Sequence, residues 1–523
     1  MRPAHYLLSG LLTLLLVFSL VAAYHLKADR WGVFAADFES FHLPIDINKL
    51  YLKTRFLLST EHSYDCFVFG SSRVAALDVK RLGPDCYNFT HSGGLVVDHL
   101  GVLESFLDAG MSVSKVYVAL DDLSYNENPE VSRLQHMRRA YPDGAFDHIQ
   151  FLSMFLLRPM DLNDLSLVTG ANPKVRTPRF ITQPDLDTER IRSRYQKYYD
   201  NPRETDMRFR RLPPTGRDTQ YYGESSIAAL RKLARLSREN DFQLQTFFFP
   251  LHYKTYLARD YNLLLRFKRE AANIQPFRDF SGLNAYTTDN RYWRETSHFS
   301  AVVGDRVAEV VHSGEPLQYG MGRRVTPENL SQLEIRQHQV DQYFLPLLIR
   351  REGLMYLPQR FIHQWREQEL LAPLRLSKGR ARDPVRTLDL AEGGVVEISR
   401  HDSRSSRHTS AVLSVRKGEY FYLKYRFISD RPGQYRLQVS QDDSQYEGAF
   451  RELRLAVETG ENEGVLAGYA SVDRPAVKLS LGGGDVDISW SPLEAGRIRL
   501  GRAARERAEQ FDSAYPPMRS NQG

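Results

Sequence analysis

The chain has 523 residues, a formal net charge of +6, 42% hydrophobic and 26% charged residues, and two cysteines. That length exceeds one ordinary domain, and the basic residues are interspersed with acidic ones in a way that argues against a nucleic-acid partner. Two cysteines without metal-ligand spacing exclude a cysteine-based metal centre, and no cofactor motif is present.

No charged residue occurs from Tyr6 to Tyr24, with Arg2 before the run and Lys27, Asp29 and Arg30 after it. As a helix this run would be roughly 28 Å long, about one hydrocarbon core. It reads as an uncleaved single-pass anchor over 1–30. The alternative is a cleaved signal peptide with Val21-Ala22-Ala23 at the cleavage site. In either case the rest of the chain is expected outside the cytoplasm, and an anchor would hold it at the cytoplasmic (inner) membrane.

Residues 31–320 alternate strand and helix patterns. Strand candidates are Cys66–Gly70, Cys86–Thr90, Lys115–Leu120, Gln243–Phe249 and Pro276–Phe280. Helix candidates are Leu95–Ala109, Ser225–Glu239, Tyr253–Ala272 and Ser300–Val311. Such alternation predicts an α/β fold with a doubly wound, mostly parallel sheet. A stretch rich in Arg, Tyr, Asp and Pro, near 126–219, reads as an insertion that shapes the site. Cys66 and Cys86 each follow an Asp at the start of a strand candidate. They read either as a disulfide between neighbouring strands or as two small buried residues.

Residues 321–374 read as a helical connector, because Leu333, Ile335, Val340, Tyr343, Phe344, Leu347, Leu348 and Tyr356 recur at helical spacing. From 375 to 500 short strand-like runs separated by Gly, Asp and Ser predict a β-sandwich. Its Tyr435, Tyr446 and Trp490 are candidates for stacking on sugar rings or for core packing. Residues 501–523 have few large apolar side chains and read as a disordered tail.

Two short signals carry chemistry. Gly70-Ser71-Ser72-Arg73 follows an apolar strand and opens a turn into a helix, which lifts a serine hydroxyl above the sheet end. Glu295-Thr296-Ser297-His298 places a carboxylate three residues before a histidine. A serine is a weak nucleophile without a base, and the base needs an orienting group; Ser72, His298 and Glu295 supply these types. The plainer reading makes Ser71 and Ser72 helix caps and Glu295 a first-turn carboxylate. Ser71 is the alternative nucleophile. His91, His252 and Arg73 read as structural, and Asp121-Asp122 lacks a neighbouring histidine for a metal site.

Gly70-Ser71-Ser72, then Ser92-Gly93-Gly94, then Glu295-x-x-His298 resemble the SGNH/GDSL hydrolase superfamily over about 60–312. They resemble in particular its membrane-anchored extracytoplasmic branch, which includes the SGNH proteins of alginate and cellulose O-acetylation and the D-alanyl transfer protein of teichoic acid modification. The resemblance implies a flavodoxin-like sheet, Ser72 as nucleophile, His298 as base and Glu295 in the place of the family's Asp. The oxyanion hole would take the N–H groups of Ser72 and Gly93. The family's third block, Gly-x-Asn-Asp, has no clean counterpart, and Asn126 is the nearest amide. The implied function is O-acylation, most simply O-acetylation, of an exported polysaccharide beside a membrane-bound O-acyltransferase partner. The alternatives are a carbohydrate esterase and a non-catalytic scaffold of the same fold.

Overall fold

The computed structural model describes residues 3–34, 40–42, 47–130, 135–171 except 143, 174–176, 220–317, 321–352 and 354–357, with short pieces between 181 and 209 and the strands of the C-terminal part named below. In chain order the elements are α1 (Pro3–Ala28), α2 (Lys49–Ser59), β1 (Cys66–Ser71), β2 (Cys86–His91), α3 (Val96–Asp108), β3 (Lys115–Leu120) and α4 (Ala145–Leu156). They continue with α5 (Gly223–Glu239), β4 (Gln243–Phe248), α6 (Tyr253–Ala258), α7 (Tyr261–Ala272), β5 (Phe277–Asp279), α8 (Ala301–Ser313), β6 (Arg323–Val325), α9 (Leu330–Glu352) and β7 (Leu354–Leu357).

Six strands form one sheet in the order β2-β1-β3-β4-β5-β6, and only the β5–β6 pair is antiparallel. Alternate side chains supply two cores, as the pleat requires. Phe67, Phe69, Val116, Val118, Leu120 and Phe248 face one core with α3, α5 and α7. Val68, Tyr117, Ala119, Phe247 and Phe249 face the other with α8. Strands buried on both faces read as the near-continuous apolar runs seen in the sequence. Strand order reverses at β1, so the crevice between the carboxyl ends of β1 and β3 is where such sheets take ligands.

Cys66 and Cys86 are directly paired in the parallel register of β1 and β2 and form a disulfide. The helix expected over Tyr253–Ala272 is two helices. Asp260 caps the second by accepting from the N–H groups of Asn262 and Leu263, and Arg259 leaves to pair with Asp122. The helix expected as far as 374 stops at Glu352, and β7 follows it as a strand. At the head of the same region Arg323–Val325 closes the main sheet rather than joining a helix.

The single helix long and apolar enough to cross a membrane is His5–Ala28 among the described residues; its apolar stretch is uncovered by the rest of the chain, and only its last turn, with His25 and Ala28, is buried. In the C-terminal part, Val412–Ser414, Ala476–Gly482, Gly433–Gln441 and Phe450–Val457 form a four-stranded antiparallel sheet. Tyr420–Ser429 pairs with Ile488–Trp490, Glu494–Ile498 and Gly460–Tyr469, which in turn pairs with β7. Tyr420, Tyr422 and Ala467 share a core with Leu345, Leu348 and Ile349 of α9. The face-to-face packing expected of a sandwich, the side chains of Tyr435 and Trp490, Tyr446, and the tail 501–523 lie outside the described residues, as does much of 126–219.

Candidate active site

β1 runs one residue further than expected, through Ser71, and a 3-10 turn, Ser72–Ala76, follows. The two serines therefore point into different surroundings. Ser71 is buried and its hydroxyl donates to Asp121 Oδ2 at 2.6 Å. It also caps the turn, since its oxygen accepts from the Arg73 N–H at 3.4 Å. Ser72 Oγ lies 2.9 Å from His298 Nε2.

His298 sits on a loop held by its neighbours in the sequence. Trp293 and Phe299 form a β-bridge, and the Arg294 N–H donates to the His298 carbonyl at 2.9 Å. Both aromatic residues are buried, with the Trp293 indole N–H donating to the Tyr286 carbonyl at 2.8 Å and Phe299 stacked on Phe249. The Thr255 hydroxyl donates to the Thr296 carbonyl at 2.5 Å. α8 then starts at Ala301 and crosses the 3-10 turn so closely that a Cβ on Gly304 would collide with the Ala76 carbonyl. That close approach joins the histidine loop to the serine turn.

Glu295 uses both carboxylate oxygens. Oε1 accepts from His298 Nδ1, and Oε2 accepts from the Ser297 N–H at 2.9 Å and the Ser297 hydroxyl at 2.7 Å. The extra methylene of Glu relative to Asp is taken up within this four-residue turn. Burial pushes the Glu295 carboxyl up, but the bond to His298, its charge and the two Ser297 donors outweigh it and hold the carboxyl at about 2. The His298 and Glu295 side chains are 33% and 31% exposed, so a substrate can reach the pair.

The Ser92–Gly94 loop follows β2, the neighbour of β1. Gly93 is left-handed at φ 63°, where a side chain would be strained. A Cβ on Gly94 would stand 2.8 Å from the Gly70 carbonyl and 2.8 Å from His91 Nε2, so the loop lies against the strand end that leads to the serines. Asp98 fixes the loop's exit by accepting from the Leu95 N–H at 2.8 Å and taking a two-pronged bond from Arg138. His91 and His99 pack beside it, ring centroids 5.1 Å apart. Their ring nitrogens have no hydrogen-bond partner among the described residues. Burial, then Arg138, lowers His99 to about 3; burial, then His99, drives His91 well below the usual imidazole range. Both are neutral core residues. His252 is also structural, buried against Asn290 at 3.0 Å and stacked on Phe209.

After β3 stands a charged network that sequence reasoning missed. Arg73 is buried between Asp121, at 3.5 Å, and Asp122, and Arg259 reaches Asp122 at 2.8 Å. Burial lowers the Arg73 pKa, opposed chiefly by the charge of Asp121. Asn126 ends a short helix, Leu123–Asn126, and is buried with both amide atoms unpartnered among the described residues. No bond ties it to Ser72 or His298. Ser297, which braces Glu295, was also missed, although a hydroxyl between a carboxylate and a histidine is a usable signal. Beside the histidine loop, the rings of Tyr199 and Tyr292 lie 6.0 Å apart with the Arg291 guanidinium 5.3 Å from the Tyr199 ring. Burial, then Asp289, pushes the Tyr292 phenol up to about 12. A cavity of 530 Å³ opens elsewhere, between α3 and α4, lined by Asp98, Arg138, Tyr141 and Phe151 but by none of Ser72, Glu295 and His298.

No family model and no curated protein matches the chain. Among solved structures, the carbohydrate-binding module CBM6cm-2 from Cellvibrio mixtus lichenase 5A, in complex with cellotriose, is 10% identical over 25% of this chain and 100% of that one, with a TM-score of 0.16. The CBM22-1 xylan-binding domain from Paenibacillus barcinonensis Xyn10C is 14% identical over 25% of this chain and 97% of that one, with a TM-score of 0.16. Superpositions this slight carry no argument about fold or function.

Proposed function

We propose that the chain is a membrane-anchored, SGNH-type serine acyltransferase that esterifies hydroxyls of an exported polysaccharide. The observation that carries the reading is the contact of Ser72 Oγ with His298 Nε2 at 2.9 Å, with Nδ1 of the same ring on Glu295, at the carboxyl end of β1. Neutral His298 takes the Ser72 proton as Oγ attacks the ester carbonyl of an acyl donor. Glu295, ionised, stabilises the imidazolium. The Ser72 and Gly93 N–H groups, with the Asn126 amide, which has no partner among the described residues, are the candidate donors to the oxyanion. His298 then gives its proton to the departing alkoxide, leaving an acyl-serine. A sugar hydroxyl attacks that ester, again passing its proton to His298. Ser72 departs, retakes the proton, and the sugar carries the acyl group.

The polysaccharide acceptor, the acetyl group and a membrane-bound O-acyltransferase partner rest on the SGNH resemblance. The Tyr199–Tyr292 pair beside the histidine loop adds a surface on which a sugar ring can stack. In the same reading the C-terminal strands form a sandwich that holds the polymer.

The test uses the full chain in detergent with a fluorophosphonate probe, then p-nitrophenyl acetate with and without an exported glycan. Labelling at Ser72 and acetyl esters on the glycan by mass spectrometry are expected. Acetate release with no acetylated glycan would make the chain an esterase. Neither labelling nor acetate release would leave only the scaffold reading.

A further inference from the structure

Ten large apolar side chains outside α1 are exposed among the described residues, and seven of them fall between Phe146 and Leu165. Phe146 is 78% exposed, Ile149 66%, Met160 56% and Leu162 85%. α4 nonetheless has a buried face, because Phe151 and Phe155 pack with Trp31, Val33 and Leu52. Its outward side exposes Phe146, Ile149 and Leu152 beside Asp147 and Gln150, more large apolar surface than an ordinary solvent-facing helix carries. A patch of this kind on a soluble surface marks a contact with something apolar.

The patch is continuous with α1. The Tyr24 hydroxyl donates to the Asp161 carbonyl at 2.5 Å, and His25 Nε2 meets the Arg158 carbonyl at 3.0 Å. Just beyond the helix, Arg30 pairs with Asp161 at 3.2 Å and Asp164 at 2.8 Å. The Arg30 and Arg158 guanidinium groups lie 5.8 and 4.2 Å from the Trp31 ring centre. Residues 158–164 are thus fixed at the level of the last turn of α1, and Phe151 and Phe155 of α4 pack on Trp31 just beyond it. A 24-residue span is ~36 Å long against a hydrocarbon core of ~30 Å, so that turn lies at the membrane boundary. An aromatic ring with cationic groups around it is the composition of that boundary.

We propose that residues 145–165 are a membrane seat: Phe146, Ile149, Leu157, Met160, Leu162 and Leu165 enter the acyl-chain boundary of the leaflet from which α1 emerges. The occupant is lipid, because the patch adjoins the one helix among the described residues long enough to span a bilayer, and its 158–164 end is bonded to that helix's last turn. The seat makes the α/β domain lie on the membrane instead of swinging from a tether. It rests on α1 being a retained anchor and is independent of the acyl-transfer chemistry.

The test uses the full chain, whose two native cysteines are paired. Single-cysteine variants Phe146→Cys, Ile149→Cys and Leu162→Cys carry an environment-sensitive fluorophore. Val302→Cys and Ile335→Cys, 43% and 62% exposed, serve as references. Each is reconstituted in vesicles of phosphatidylethanolamine and phosphatidylglycerol with doxyl-labelled lipid. Interfacial burial predicts at least about twofold quenching at the three seat positions and none at the references. A chain that fails to float with the vesicles overturns anchor and seat together. A chain that floats while seat and reference probes behave alike overturns the seat alone. A blue-shifted but unquenched seat probe would assign the patch to a second copy and overturn the lipid assignment.

Discussion

Replacing Glu295 by Gln tests the proposed triad with little change of shape. The carboxyl sits at about 2 against an ordinary 4.5, and at ~1.4 kcal/mol per unit this corresponds to ~3 kcal/mol of preference for the ionised form. With 31% of the side chain exposed, solvent screening reduces that to ~1–2 kcal/mol, a roughly five- to thirtyfold loss of imidazolium stabilisation. The amide also changes which ring nitrogen carries the proton. An amide N–H facing Nδ1 puts the imidazole proton on Nε2, where it can no longer accept from Ser72. Comparable substitutions in serine-protease triads cost ~10⁴. The expected fall in kcat/KM for p-nitrophenyl acetate therefore lies between about 10² and 10⁴. Glu295→Asp keeps the charge but is one methylene short of reaching both Ser297 and His298, so an intermediate loss is expected. A Glu295→Gln chain within about threefold of wild type, with wild-type thermal stability, would refute the triad. The pH sign is also fixed. A carboxyl lowered on folding stabilises the fold above about pH 4.5, and that gain is lost as pH falls toward 2. Urea midpoints at pH 7 and pH 3 should diverge less in Glu295→Gln than in wild type.

Fluorophosphonate labelling should vanish in Ser72→Ala and persist in Ser71→Ala. The latter removes one donor from the buried Asp121 carboxylate, which keeps the Leu123 N–H and Arg73, and should lose ~1–3 kcal/mol in urea unfolding. Gly94→Ala places a Cβ 2.8 Å from the Gly70 carbonyl and should cut labelling rate more than stability, because the atom that must shift belongs to the strand carrying the serines. His99 is lowered on folding to about 3, so its neutral form stabilises the protein above about pH 6.5 and progressively less below it. His99→Phe should flatten acid unfolding between those values. Replacing both cysteines by Ala opens a 20-residue separation and should lower stability by ~3 kcal/mol on the chain-entropy account, read as a lower Tm.

The parallel sheet was legible because its strands are buried on both faces and so read as unbroken apolar runs between turn signals. The cysteine pairing was partly legible: equal contexts at equal strand starts put the two residues in register once β1 and β2 are neighbours. Interactions that depend on distant chain segments were not legible. The break at Arg259-Asp260 is set partly by an ion pair to Asp122, 137 positions away, which local periodicity cannot see, and partly by the Asp260 cap, a local signal the apolar spacing masked. β6 is three residues long with two arginines, so it carries no strand pattern of its own. At the site, Glu295, Ser297 and His298 form one local turn that spacing can reveal. Nothing near Ser72 in the sequence points to His298, 226 positions away; only the order of strands brings them together.

The double aspartate after β3 shows how the same sheet can serve the turn by a different route. Directly after β3, Asp121 holds Ser71, and Asp121 and Asp122 together hold Arg73. A buried ion network of this kind adds little net stability, because desolvation offsets the attraction, but breaking it strands a charge. Its effect is geometric. With Ser71 and Arg73 both fixed, the intervening Ser72 has little freedom, and its hydroxyl is left for His298. Asp121 carries no N–H or amide at its side chain, so it cannot donate to an oxyanion. Under the acyl-transfer reading that duty falls to backbone N–H groups and to Asn126, five residues on, whose amide is buried with no hydrogen-bond partner among the described residues.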